Sequence, residues 1–305
     1  MTTLVFGHKA PDTDSTGAPL IWAWYLSHKG TPAEARLLGT PNTEAAFVAK
    51  RWSFELPPVI SDVEDGQHCV VVDTNNPAEL PANINNADVL AIIDHHKLVG
   101  GLETKGPIDI TIRPLACTVT VMHGLMGADA AAMPDPIKGL MLSCILSDTL
   151  EFRSPTTTPT DKALAESLAA DLGISIPALA TEMFEAKSDV SAFSDAELLR
   201  MDSKEYTVGG KEFRVSVLET TAPKIVLDRK DSLMTSMETV AAEDGADQLL
   251  LFVVDILKEE ATLLVPNDLV KAVAEKSFGA TVTGDTVVLP GIMSRKKQII
   301  PNLKV

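Results

Sequence analysis

Apolar residues in the first half of the chain fall into two textures. Short uninterrupted runs, as in Leu4-Val5-Phe6, Val70-Val71-Val72 and Val89-Leu90-Ala91-Ile92-Ile93, predict strands at 3–7, 69–73 and 89–94 that are buried on both faces. Longer stretches carry helical spacing. Ser15 is a suitable N-cap for a helix reaching His28, with Leu20, Ile21, Trp24 and Tyr25 on one face. A short strand at 36–38 and a helix at 42–51 follow. Further helices are predicted at 118–127, at 136–149 with Pro136 at its start, at 160–172 and at 176–187. Strands alternating with helices imply crossover units, hence an α/β fold with an open, mostly parallel sheet flanked by helices.

The pattern changes after Lys187-Ser188-Asp189-Val190-Ser191. Segments 204–208 and 212–218, joined by Gly209-Gly210, predict a hairpin. A helix at 232–242, strands at 248–256 and 261–265, a helix at 267–276 and strands at 280–283 and 286–289 complete a smaller mixed α/β domain. The expected organisation is a domain at 1–188, a linker at 189–193 and a second domain at 194–305. No internal repeat is visible.

The composition narrows the chemistry. Of 305 residues, 45% are hydrophobic, enough for a sizeable core. Acids outnumber bases 42 to 26, a formal charge of -16 that repels polyanions and argues against non-specific nucleic-acid binding. Cys69, Cys117 and Cys144 are scattered through apolar stretches, neither a disulfide framework nor a zinc knuckle, and read as reduced core residues. No basic, apolar leader opens the chain and no apolar run approaches about 18 residues, so a soluble cytoplasmic protein without membrane contact is expected.

Three of the predicted strands deliver acids or imidazoles at their C-terminal ends: His8, then Asp73, then Asp94-His95-His96. Ligands in open α/β sheets bind outside the carboxyl ends of the strands, so this points to a metal site. Asp12 and Asp14, two apart and roughly 6–7 Å from each other if extended, could each hold one ion of a pair about 3.5–4 Å apart. The plainer alternative is a polar turn with a capping serine. Asp73 could likewise be a cap after a buried strand. Asp148 lies near the C-terminus of a nearly all-apolar helix, where it opposes the macrodipole; it needs either a metal or a partner such as Arg153. The side chains of His95 and His96 should diverge, leaving one to ligate and the other to face substrate. His28, His68 and His123 lack acidic neighbours in sequence. Oxygen and imidazole ligands without thiolate favour Mn²⁺, Mg²⁺ or Co²⁺ over structural Zn²⁺. Ser294-Arg295-Lys296-Lys297 is either a solvated basic turn or a phosphate clamp. No glycine-rich nucleotide loop is present.

Taken in order, His8-Lys9-Ala10-Pro11-Asp12-Thr13-Asp14-Ser15, Asp73, Asp94-His95-His96, the stretch through Ser147-Asp148-Thr149 and Ser294-Arg295-Lys296 resemble the family II inorganic pyrophosphatases, manganese-dependent members of the DHH phosphoesterase superfamily. The resemblance implies a DHH domain and a DHHA2-type domain with the active site in the cleft between them. It implies two Mn²⁺ per subunit, with Co²⁺ as a substitute: one held by His8, Asp12, Asp73 and Asp148, the other by Asp14, Asp73, His95 and Asp148. His96, Lys204, Ser294, Arg295 and Lys296 match phosphate-binding and catalytic positions, and Asp94 a residue that orients an imidazole. A homodimer through the first domain is implied, as is substrate arriving with Mg²⁺. Ala10 departs from the asparagine common at that position, where loop tuning rather than loss of activity is expected.

The function so implied is hydrolysis of pyrophosphate to two phosphates by a metal-bridged water attacking phosphorus in line, with His96 as acid toward the leaving phosphate and Asp14 as proton acceptor. Two alternatives stand beside it. One is another DHH phosphoesterase acting on polyphosphate or short nucleotides; the other is a non-catalytic metal or phosphate sensor on the same scaffold.

Overall fold

The computed structural model describes all 305 residues, which form two compact units, Met1–Lys187 and Ser188–Val305. In the first, β1 (Thr3–Phe6), β2 (Ala33–Ala35), β3 (His68–Val72), β4 (Asp88–Asp94) and β5 (Asp109–Ile112) make one sheet in the order β2-β1-β3-β4-β5. Every pairing is parallel. The strand order turns about β1, with β2 on one side and β3 on the other, so the carboxyl ends of β1 and β3 flank a topological switch point. His8 follows β1 and Asp73 follows β3.

The apolar runs form strands because both faces of the sheet are covered. Phe6, Cys69, Val71, Val89 and Ile92 pack on Val63, Leu80 and Ile84 from the segments between strands. The helices of this unit are α1 (Thr13–His28), α2 (Thr43–Arg51), α3 (Thr118–Met126), α4 (Asp135–Thr149), α5 (Pro159–Leu172) and α6 (Ile176–Lys187). From Gly139 to Ser147 every residue of α4 is buried, as an all-apolar helix requires. It lies against α1 so closely that a Cβ on Gly17 would stand 2.4 Å from Cys144 Sγ.

The second unit contains α7 (Asp195–Met201), β6 (Ser203–Val208), β7 (Lys211–Thr220), α8 (Pro223–Leu227), α9 (Lys230–Glu243), β8 (Gln248–Asp255), β9 (Glu260–Leu264), α10 (Asp268–Phe278) and β10 (Thr286–Pro290). Its sheet order is β10-β9-β8-β7-β6, with only β7 and β8 parallel. β8 is buried along its whole length. This matches the expected smaller mixed α/β domain, and the predicted Gly209-Gly210 hairpin is present.

Several expectations are displaced. The strand placed at 36–38 lies at Ala33–Ala35, while Leu37 makes only a single bridge to Val59. No strand forms at 280–283. β5, α7 and α8 carry too few periodic positions to have been foreseen. Asp12, not Ser15, caps α1: its Oδ1 accepts from Ser15 N at 2.9 Å. Ser15 instead turns its Oγ back to accept from His8 N at 2.8 Å, an approach that leaves no room for a side chain on Gly7.

The α1–α4 contact sets the separation of Asp14 and Asp148. Gly17→Ala is therefore expected to destabilise the protein by about 1–3 kcal/mol through overpacking against Cys144. Urea unfolding of the two proteins side by side measures it; an unchanged midpoint would show that the helices can part freely.

Candidate metal centre

The residues picked out in the first unit converge. His8 Nε2 lies 3.9 Å from Asp12 Oδ2 and 3.5 Å from Asp73 Oδ2. His95 Nε2 lies 3.5 Å from Asp73 Oδ1. Asp14 and Asp148 approach each other beside Cys117. Three groups of ligand atoms result, each within 4.8 Å: His8, Asp12 and Asp73; Asp73, His95 and His96; Asp14, Cys117 and Asp148. Asp73 belongs to two of them.

The backbone is bent to achieve this. Asp73 leaves β3 with φ 58, a left-handed conformation that costs roughly 1–2 kcal/mol for an L-residue, though aspartate tolerates it better than most. Its Oδ1 accepts from Thr118 Oγ1 at 3.0 Å. Asp14 Oδ2 accepts from Thr118 N at 2.7 Å, at the N-terminus of α3, where the helix dipole favours a carboxylate. Beyond Asp148, Leu150, Glu151 and Phe152 all have positive φ, a left-handed turn that ends α4 sharply.

Asp94 organises the histidines. Its Oδ1 accepts from His95 N at 2.7 Å, His96 N at 3.0 Å and His96 Nδ1 at 2.9 Å, and its Oδ2 from Asn75 Nδ2 at 2.6 Å. The two rings therefore do not diverge as expected; their centroids are 4.2 Å apart. His95 Nδ1 is tied to Leu115 O at 3.1 Å, which leaves Nε2 as the ring nitrogen turned to Asp73. Such an outer hydrogen bond is how proteins fix the tautomer of a metal-ligating histidine. His96 is half exposed, its Nδ1 engaged and Nε2 free of Asp94.

The electrostatics separate these acids into two kinds. Burial pushes the Asp94 carboxyl up, but the His96 and Asn75 hydrogen bonds outweigh it and hold the group below the usual range. Asp14, Asp73 and Asp148 are raised, Asp73 and Asp148 strongly, first by burial and then by repulsion among neighbouring acids, which the nearby His95 partly offsets at Asp14. Asp14 Oδ1 and Asp148 Oδ2 are buried without a hydrogen-bond partner. Arg153, a candidate partner for Asp148, pairs with Glu151 instead. Three crowded carboxylates lacking protein cations fit divalent ions, and the oxygen and imidazole donors fit a hard or borderline metal. Cys117 was read only as core. Its thiol lies in this cluster and is pushed well up, by burial and then by Asp14 and Asp148. Thr118 and Asn75 also escaped sequence reasoning, because an ordinary polar residue acquires a role only through what folds against it. His68, without an acidic neighbour in sequence, meets Asp88 at 3.6 Å on the adjacent strand.

In the second unit, Lys204, Ser294, Arg295 and Lys296 line one cavity of about 680 Å³ with Asp202 and Tyr206. Arg295 donates to Asp202 O and Oδ1, both at 2.7 Å, which fixes the plane of its guanidinium.

The sequence profile of the DHH family, N-terminal domain, matches residues 2–147, and that of the DHHA2 domain residues 181–305. A protein of Deinococcus radiodurans named as a manganese-dependent inorganic pyrophosphatase is 39% identical over 305 residues, covering 98% of this chain and 97% of its own. One from Bacillus licheniformis, named likewise, is 34% identical over 98% of this chain and 97% of its own. The chain belongs to the family II inorganic pyrophosphatases. A crystal structure of a Methanococcus jannaschii protein assigned to the same pyrophosphatases superposes with a TM-score of 0.62 at 33% identity, over 99% of this chain and 98% of that one. An exopolyphosphatase-related protein from Bacteroides fragilis shares the fold, with a TM-score of 0.50 at 11% identity over 98% of this chain and 89% of that one.

Raised carboxyl pKa values mean that the folded metal-free protein binds protons more tightly than the unfolded chain. Its stability therefore falls as pH rises from the ordinary carboxylate range through the folded values. Mn²⁺ is expected to raise the melting temperature more at pH 7.5 than at pH 5.5, where protons compete for the same oxygens. Asp148→Asn is expected to melt higher than the parent without metal and to gain little from Mn²⁺. Thermal melts at both pH values check this; an equal Mn²⁺ increment in parent and variant would exclude Asp148 as a ligand.

Proposed function

We propose that this protein hydrolyses inorganic pyrophosphate to two phosphates using divalent cations, manganese foremost. The observation that carries this reading is the crowding of buried Asp14 and Asp73 with partly buried Asp148, two of whose carboxylate oxygens, Asp14 Oδ1 and Asp148 Oδ2, are buried and unpartnered. Kinship along the full chain with proteins named manganese-dependent inorganic pyrophosphatase supports the substrate. His8, Asp12, Asp73 and Asp148 would hold one ion and Asp14, Asp73, His95 and Asp148 the second, with Co²⁺ able to substitute. Bound cations supply Lewis acidity and make water a usable nucleophile near neutral pH.

The chain's own groups do the rest. Asp94 holds His96 Nδ1, so the ring offers Nε2 to a phosphate oxygen and can donate a proton as the anhydride bond breaks. Arg295, already oriented by Asp202, binds phosphoryl oxygens as a planar fork, and Lys204, Lys296 and Ser294 add point charge and a hydroxyl. Phosphoryl transfer depends chiefly on such positioning and charge neutralisation. In this reading the first unit is the metal-binding domain and the second the phosphate-binding domain. Substrate arrives with Mg²⁺, the chain works as a homodimer through its first unit, and it acts in the cytoplasm. No single helix is long and apolar enough to cross a membrane.

Phosphate release by the metal-stripped protein, with and without added Mn²⁺, tests the assignment. Pyrophosphate is expected to be cleaved only with metal, and far faster than tripolyphosphate or a dinucleotide. A preference for the dinucleotide would move the protein to another branch of the DHH phosphoesterases. Arg295→Ala is expected to lower kcat by about 10²–10³-fold while leaving Mn²⁺ affinity unchanged. Equal loss of both would contradict the division between metal and phosphate residues.

A further inference from the structure

One buried acid of the first unit is neither a metal-facing residue nor a substrate contact. Glu44, in the first turn of α2, is fully buried. Its Oε2 accepts from Ser147 Oγ at 2.8 Å, Thr13 Oγ1 at 3.0 Å and Lys187 Nζ at 3.2 Å, while Oε1 is buried without a partner. Two of these donors are immediate neighbours of the acids in the metal centre: Thr13 stands between Asp12 and Asp14, and Ser147 precedes Asp148. The third, Lys187, is the last residue of the unit.

The surroundings show that this arrangement is built. Asn42 caps α2 by accepting from Ala45 N at 2.8 Å, and its own N–H donates to Pro11 O at 3.1 Å, which docks the start of α2 on the segment leading into α1. Cys144 Sγ donates to Thr13 O at 3.3 Å, a direct tie between the first turn of α1 and α4. Glu44 is buried while Lys187 is exposed, and an ion pair that takes a carboxylate out of water is weak support for stability, because a well-packed apolar residue in its place is often neutral or stabilising. The charge at Glu44 is better accounted for by geometry: charge-assisted hydrogen bonds from two hydroxyls to one oxygen are short and directional.

We propose that Glu44 is a positioning residue of the metal centre, holding the N-terminus of α1, residues 12–14, against the Asp148 end of α4, with Lys187 as its counter-ion. The proposal rests on the metal-binding reading of Asp12, Asp14 and Asp148. The carboxylate sets the distance between two ligand-bearing segments that meet only through tertiary packing. A glutamine fills the same volume and can set its one acceptor oxygen where Oε2 lies, but it carries no charge to face the Lys187 ammonium or to strengthen the two hydroxyl bonds, and it leaves a buried NH2 where Oε1 had no partner.

Mn²⁺ titration of metal-stripped protein, read by the electron paramagnetic resonance of the free ion, separates the possibilities. Glu44→Gln and Ser147→Ala are each expected to fold, as judged by circular dichroism, and to bind Mn²⁺ more weakly, Glu44→Gln by roughly 10-fold, the low end of what losing an outer partner of a ligand costs, because Glu44 holds the neighbours of the ligands and not the ligands themselves. A parent protein that takes up no Mn²⁺ would refute the metal centre itself. A parent that binds, with both variants matching it and only their melting temperatures lowered, would overturn the role of Glu44 and leave the centre standing. If Glu44→Gln does not fold, Ser147→Ala decides alone: weakened binding supports the proposal and parental affinity overturns it.

Discussion

Mutual repulsion among buried carboxylates governs the first unit. Asp14 and Asp73 lie out of water, Asp148 beside them has one carboxylate oxygen buried, and no lysine or arginine is spent on them. Left alone, each ionised acid raises the free energy of the others, and burial raises it further. A protein selected only to be stable would dilute such a cluster or thread a cation through it. Here the cations sit one layer out, as Lys187 on Glu44 shows, so the centre keeps its appetite for metal.

The scaffold offsets this strain with fixed partial charges. The N-terminus of α3 donates to Asp14, Thr118 donates to Asp73, and Asp94 collects four donors, the His96 ring among them, while Leu115 O holds the His95 ring. None of these partners neutralises a carboxylate outright. They orient it, which is what a ligand needs when the neutralising charge comes with the metal. The left-handed residue at Asp73 and the left-handed turn after Asp148 belong to the same economy: backbone strain is tolerated where it aims a side chain.

The motifs were legible because strands end where chemistry begins. An uninterrupted apolar run that closes on His8, Asp73 or Asp94 is unusual enough to mark the carboxyl edge of a parallel sheet, and the order of motifs carried the family resemblance with it. Other features left little trace. β5 is short and half exposed at the sheet edge, so no periodicity announces it. The proximity of the two histidine rings was misjudged because the bend after β4 is made by Asp94 bonding its own successors, a local geometry that alternation rules do not describe. Ser15 and Asp12 exchanged roles for a similar reason: both can cap a helix, and the close approach of His8 N decided which one does.

By itself, the sequence determined the class of fold, the apolar, largely buried character of α4 and the donor atoms available to a metal, since these follow from residue type and spacing along the chain. Which donors share an ion, which nitrogen of His95 is free, and how Cys117, Asn75 and Glu44 join the centre were decided only by tertiary structure. Those relations depend on distances between segments as far apart as Thr13 and Ser147, and linear spacing carries no information about side chains that meet only when separate elements pack.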